Sequence, residues 1–208
     1  MIARRIIFGA AFALCFISHI GNAQTSSGVT MNYTADAFIR QVCEEAIQSL
    51  TNKNLSDRER QQRFRSILNR TFNIKLIARF ALGYRNWRRA TKHQREEYVR
   101  LFQEFIVQAY AARFKNYRGE KFFVGKVREI NNRDKLVHSA LTLKDGRKIP
   151  VHWRVRSGKD YKIIDVLVEN VSMAITQRDE FAAIIKQKNG KVEELLAALR
   201  HKTARNKY

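Results

Sequence analysis

Lys148-Ile149-Pro150-Val151-His152-Trp153-Arg154-Val155-Arg156, followed after Ser157-Gly158-Lys159-Asp160 by Tyr161-Lys162-Ile163-Ile164-Asp165-Val166-Leu167-Val168, is the stretch on which the fold turns. In its first half Ile149, Val151, Trp153 and Val155 alternate with Lys148, His152, Arg154 and Arg156, so one face is apolar and the other wet. Alternation with a period of two marks an antiparallel strand packed on one side only. Ser157-Gly158 ends that strand, and a second apolar run takes over at 161–168. Pro150 lacks an amide hydrogen, which predicts an edge or bulge position for it.

Working upstream, the same period predicts strands at 121–130 and 136–143. The turn Asn131-Asn132-Arg133-Asp134 and the hairpin signal Asp145-Gly146 set them off. Before Gly119 the period is helical. A helix over 34–50 places Phe38, Val42, Cys43, Ala46, Ile47 and Leu50 on one face. A second starts at Ser56, with Glu59 completing an S-x-x-E capping box, Phe64, Ile67 and Leu68 turned inward, and an outer face crowded with arginine. A third, over 74–82, stops at Gly83. The longest opens at Thr91 with Gln94 three residues on, and its apolar stripe of Tyr98, Leu101, Phe102, Phe105, Ile106, Ala109, Tyr110 and Phe114 is rich in aromatics. Downstream, helices are expected at 172–188 and 191–199.

Helices grouped first and hairpin strands grouped after give an α+β class, with helices packed on one face of a curved antiparallel four-stranded sheet. The expected organisation is a signal peptide over 1–23, a flexible leader over 24–33, one domain over 34–199 and a basic tail over 200–208. Arg4 and Arg5, the apolar run 6–20 and the small residues ending at Ala23 make the export signal. A retained anchor is the rival reading, with an apolar run short of the roughly 20 residues a span needs. Leu14 before Cys15 does not suit a lipoprotein signal. Cys43, the only cysteine after cleavage, is expected to be a buried, inert thiol.

The formal net charge is +21, or +19 once Arg4 and Arg5 leave with the signal. That excess favours acidic partners: nucleic acid, anionic head groups or acidic protein surfaces. It equally suits a solvated basic surface. Against catalysis stands the lack of any G-x-S-x-G elbow, H-E-x-x-H, C-x-x-C or glycine-rich phosphate loop. His93, His138 and His152 read as solvent-facing, Asp165 is a lone acid near the apolar strand core, and no metal site is expected.

Two aromatic and apolar surfaces, one helical and one in the sheet, form either an ordinary core or the walls of a cavity. The runs Phe80-Ala81-Leu82-Gly83, Trp87-Arg88, Ala90-Thr91 and Gln94-Arg95, then Phe102 and Tyr110, resemble the R-F-x-L-G-x-x-W-R-x-A-T-x-x-Q-R stretch of the MlaC, or toluene-tolerance, family. The block Ile164 to Ser172, followed by Arg178, Asp179 and Phe181, resembles its D-V-x-V-E-G-V-S and R-x-x-F segment. The likeness spans roughly 34–199. Asn73 departs from the family's aspartate and Asn170 from its glycine, which puts the backbone at Asn170 in question.

This resemblance implies a fold like the nuclear-transport-factor and cystatin group. It also implies a monomeric periplasmic carrier, without cofactor or nucleic acid, that shuttles phospholipid between an outer-membrane lipoprotein complex and an inner-membrane ABC transporter complex, maintaining lipid asymmetry. The lining expected for the acyl chains is Phe80, Leu82, Tyr84, Trp87, Phe102, Phe105, Ile106 and Tyr110 from the helices. From the sheet it is Val124, Leu141, Val151, Trp153, Val155, Ile164, Val166 and Val168. A facing slipped by one residue would exchange a strand's whole set. Arg79, Arg85, Arg88 and Arg89 are the candidates for a head group or an acidic partner. The competing readings are a basic module for nucleic acid or another polyanion, a carrier of hopanoid or other polycyclic lipid, and an enzyme built around Asp165.

Overall fold

The computed structural model describes residues 34–187 and 190–204; the expected signal and leader lie outside them. Four α-helices come first: α1 (Ala35–Leu50), α2 (Asp57–Thr71), α3 (Ile74–Leu82) and the short α4 (Tyr84–Arg89). The long α5 (Lys92–Tyr110) continues into a 3-10 turn, Ala111–Asn116. Five strands follow, β1 (Lys121–Glu129), β2 (Asp134–Thr142), β3 (Lys148–Arg156), β4 (Lys162–Val168) and β5 (Val171–Ser172), then α6 (Met173–Gln187) and α7 (Val192–Ala204).

Both expected capping boxes form. The Ser56 hydroxyl accepts the Glu59 amide while Glu59 accepts the Ser56 amide, and Thr91 and Gln94 exchange the same pair of bonds at α5. These bonds satisfy amides that a helix start otherwise leaves to water. At Gly83, φ is +81°, a conformation open to glycine, and the chain turns there from α3 into α4. Sequence periodicity did not find α4, because six residues are too few to show a stripe.

The sheet is an antiparallel meander in the order β1-β2-β3-β4-β5, one short strand more than expected. β5 exists because Glu169 and Asn170, with φ of 50° and 65°, make a two-residue hairpin that pairs Val168 with Val171. Positive φ at both central residues suits a type I′ turn. Asn170 thus keeps the left-handed backbone that a glycine would supply. Pro150 sits in an interior strand, paired with Ala140. Its carbonyl accepts the Glu169 amide just beyond the end of β4, so its amide-less nitrogen faces the side where that ladder has stopped.

Two expectations on the helices change. The arginines of α2, read together as an outer face, do not all stay outside: Arg60 is fully buried. Its guanidinium donates to the carbonyls of Leu50, Asn52 and Leu55, the C-terminal end of α1 and the link after it, where carbonyls lack intrahelical partners. The basic tail is helical as far as Ala204. Arg200 in α7 grips Glu97 of α5 with two bonds of 2.7 Å and Glu193 with a third, and Thr203 is buried.

The interior is divided. One core joins α1 to the sheet and includes Ile39, Cys43, Ile47, Val124, Val137, Leu141, Val151, Trp153, Val155 and Ile163. The other lies among α2, α3, α5, α6 and α7, around Leu68, Leu82, Tyr98, Phe102, Phe181 and Leu196. Phe72 packs against both. It is held at the boundary by a bridge to Ile163, whose carbonyl accepts the Asn73 amide at 2.9 Å.

Candidate functional site

Where the two cores meet, their surfaces do not close on each other. A partly open cavity of about 110 Å³ (the space available to the centre of a water-sized sphere) lies between the helices and β4. On that measure one water needs roughly 10–15 Å³, so this is a true void. Phe64 and Leu68 of α2 line it, one turn apart, with Phe72 and with Ile74 and Ile77 of α3. Phe102, Ile106 and Tyr110 of α5 form a wall, and Val166, Val168, Met173 and Ala174 close the sheet side. An apolar lining of this kind gives water few partners and leaves the space suited to hydrocarbon.

Three polar side chains reach it: Arg113, Asp165 and Gln177. Asp165 is buried, and its two oxygens are already engaged. One accepts the Ser172 hydroxyl at 2.5 Å, and the other accepts the Ala174 amide at 3.1 Å, while Ser172 in turn accepts the Ile175 amide. The carboxylate therefore fastens the first turn of α6 and neutralises the exposed amides there. That is a structural task. Arg113 is the cavity's cation, half-buried in the 3-10 turn, with its guanidinium 4.5 Å from the Tyr110 ring centre. Burial pushes the Tyr110 phenol up, and the neighbouring Arg113 charge opposes that shift. Beside Phe102, at 5.9 Å between ring centres, Tyr98 is fully buried, and its hydroxyl has no hydrogen-bond partner among the described residues.

Of the expected lining, Phe102, Ile106, Tyr110, Val166 and Val168 do meet at the cavity. The others go elsewhere. Val124, Leu141, Val151, Trp153 and Val155 point inward as expected but are consumed by packing against α1. The Trp153 indole donates to the Ser139 hydroxyl at 3.0 Å and meets Phe122 edge-on. Ile164 is wrong by one residue: the register shifts between Arg154 and Val155, so Val155 pairs with Ile163, and Ile163 takes the inward place at 0% exposure. A bulge of this kind flips the facing that strict alternation would assign. Leu82 lies in the helical core, with Trp87 and Phe105 packed on its margin, while Phe80 and Tyr84 are exposed at 42% and 65%.

None of Arg79, Arg85, Arg88 and Arg89 reaches the cavity; all four are exposed on α3 and α4. The lining that sequence reasoning missed, Phe64, Leu68, Phe72, Ile74, Ile77 and Met173, carried a partial signal. Phe64 and Leu68 show inward helical spacing, but nothing in a single chain says which distant surface an inward face will meet. A roomier cleft of about 510 Å³ runs between α1, the end of α2 and the β3–β4 turn. It is edged by Glu45, Arg70, Lys159, Asp160 and Lys162, with Arg70 and Glu45 paired across it, which suits water better than hydrocarbon. Among the described residues there is no group of three side chains able to hold a metal, and no helix long and apolar enough to cross a membrane.

Comparison with known proteins agrees with this architecture. The family model described as MlaC protein matches residues 40–201. Among solved structures, the phospholipid-binding protein from Ralstonia solanacearum, in complex with a phospholipid, superposes with a TM-score of 0.74 at 20% sequence identity. The match covers 83% of this chain and 98% of that one, and it shows a shared fold.

Proposed function

The chain belongs to the MlaC family, and from that premise we propose that it is a periplasmic carrier of phospholipid rather than an enzyme. It holds acyl chains in the cavity between α5 and β4 and passes lipid between outer-membrane and inner-membrane complexes. The observation that carries this reading is an apolar void left between two otherwise closed cores. The Ralstonia solanacearum protein of the same fold binds a phospholipid, which supports it.

Each buried methylene is worth about 0.8 kcal/mol against water, so a lipid of two long chains does not leave such a site unaided. A bilayer or a second protein offers nearly equal burial, so transfer between them is close to balanced. Direction is then set by the partner complexes. In this reading Arg113, the cation among the cavity-lining side chains, pairs with the phosphate of the head group, and the rest of the head group stays in water. Export by a cleaved signal over 1–23 completes the reading.

The test is native mass spectrometry of protein purified from exporting cells. The wild type is expected to carry a phospholipid mass. Ile106→Trp, which fills the void with the protein's own atoms, is expected to lose at least nine-tenths of it on the order-of-magnitude ground that the ring occupies the space, while the fold is kept. A uniformly empty wild type that takes up nothing from vesicles overturns the proposal.

A further inference from the structure

From Ile74 to Arg95 the chain carries seven Lys or Arg and no Asp or Glu. The fold sets three of these cations, Arg79, Arg88 and Arg95, together with Arg178 of α6, beside aromatic rings of α3 and α4. Arg178 of α6 lies over Phe80 at 5.2 Å, and Arg79 and Arg95 flank Trp87 at 6.0 and 5.6 Å. Arg88 covers the Tyr84 ring at 5.6 Å and donates to its hydroxyl at 3.2 Å. Ile175, one turn before Arg178, adds an apolar side chain exposed at 44%. Among the described residues no carboxylate lies within ion-pair distance of Arg79, Arg85, Arg88, Arg89 or Arg95, while Arg178 on the α6 edge pairs with its neighbour Asp179 at 3.2 Å.

We propose that this α3–α4 surface, with the exposed edge of α6, lands the protein on an anionic phospholipid bilayer. The inference rests on the carrier reading and adds to it a surface outside the cavity. Charge of a single sign over so long a run fits a surface of diffuse negative charge, which presents no fixed register of carboxylates. Guanidinium groups spread over aromatic rings suit the head-group layer, where an amphipathic side chain keeps one end apolar and the other wet. The patch is also continuous with the cavity wall: Ile77 lines the cavity one turn before Phe80 on α3, and Gln177 lines it next to Arg178 on α6. A bilayer touching this surface therefore lies against the helices that wall the lipid site. An acidic protein is the alternative occupant.

The test uses the purified, cargo-bearing chain with vesicles of equal parts phosphatidylglycerol and phosphatidylcholine, and with phosphatidylcholine alone. Wild type is expected to co-sediment with the anionic vesicles, more weakly as salt rises, and little with the neutral ones. Replacing Arg85, Arg88 and Arg89 together by Ser should weaken binding about a hundredfold, at about fivefold for each cation near an anionic surface, with the melting temperature and cargo mass unchanged. The triple Arg→Lys variant should still bind, and F80S with Y84S should lose the part that survives high salt. Anionic-vesicle binding that is unchanged in the triple Ser variant overturns the proposal. So does a wild type that ignores vesicles but binds an acidic partner protein through these arginines. A cargo-free wild type that still needs Arg85, Arg88 and Arg89 for the vesicles supports this surface while sinking the carrier reading.

Discussion

The two cores are built from similar side chains and end in different states of closure. On the sheet side, α1 lays Ile39, Cys43 and Ile47 against Val137, Val151 and Trp153, and these side chains fill the interior. On the helical side, α5 presents an equally apolar stripe toward β4, yet room remains between Ile106 and Val166. The difference follows from how the surfaces are brought together. Cross-strand neighbours and the helix laid over them are matched closely enough for their side chains to interdigitate. The α5–β4 boundary is held apart by Phe72 and by the Asp165 network at the start of α6, both anchored in backbone hydrogen bonds. Hydrophobic content alone therefore does not tell a filled core from a container; the spacing of its walls does.

This contrast can be broken by experiment. Leu141→Ala, on the filled side at 0% exposure, is expected to lower unfolding free energy in urea by about 3–4 kcal/mol. Ile106→Ala, on the open side, should cost about 1 kcal/mol, because part of that side chain already faces empty space. Equal losses would mean that the two regions are packed alike. Arg60→Met should cost about 2 kcal/mol, since it orphans the carbonyls of Leu50, Asn52 and Leu55, and the loss should appear without change in lipid content.

A third effect is a pH dependence confined to the outer face of the sheet. Desolvation, and then the neighbouring His138, hold the His152 imidazole below its ordinary range, and the His152 Nδ1 accepts the Ser139 amide. The unfolded chain thus takes up the proton first, and this group's contribution is complete above about pH 6.5 and is lost as pH falls below it. His152→Asn should flatten that limb of the urea midpoint plotted against pH. Smallest is Glu169→Gly, expected to stabilise by about 0.5–1 kcal/mol by relieving a non-glycine residue at φ of 50°. Differential scanning calorimetry would read it.

Much of the fold was legible because its signals are local. The boxes at Ser56 and Thr91, the stop at Gly83, and the alternation from Lys148 to Arg156 each need only neighbouring residues. The candidate site was legible in outline only. The α5 wall and Val166 with Val168 were found, but the α2 and α3 walls were not, because the meeting of Phe64 and β4 around one cavity is a fact about assembly. Trp153 looked like a cavity residue on composition and proved to be filler, since its partner α1 comes from the far end of the domain. Ile164 was lost to a one-residue register shift that no hydropathy pattern records.

The thiol of Cys43 is buried on the filled side of the molecule and takes no part in the lining of the apolar cavity. It is a ready-made clock. The rate at which a thiol reagent reaches it measures how often α1 lifts from the sheet. Cys43 is not among the side chains that line the cavity, so thiol labelling reads the α1–sheet contact apart from events at the cavity.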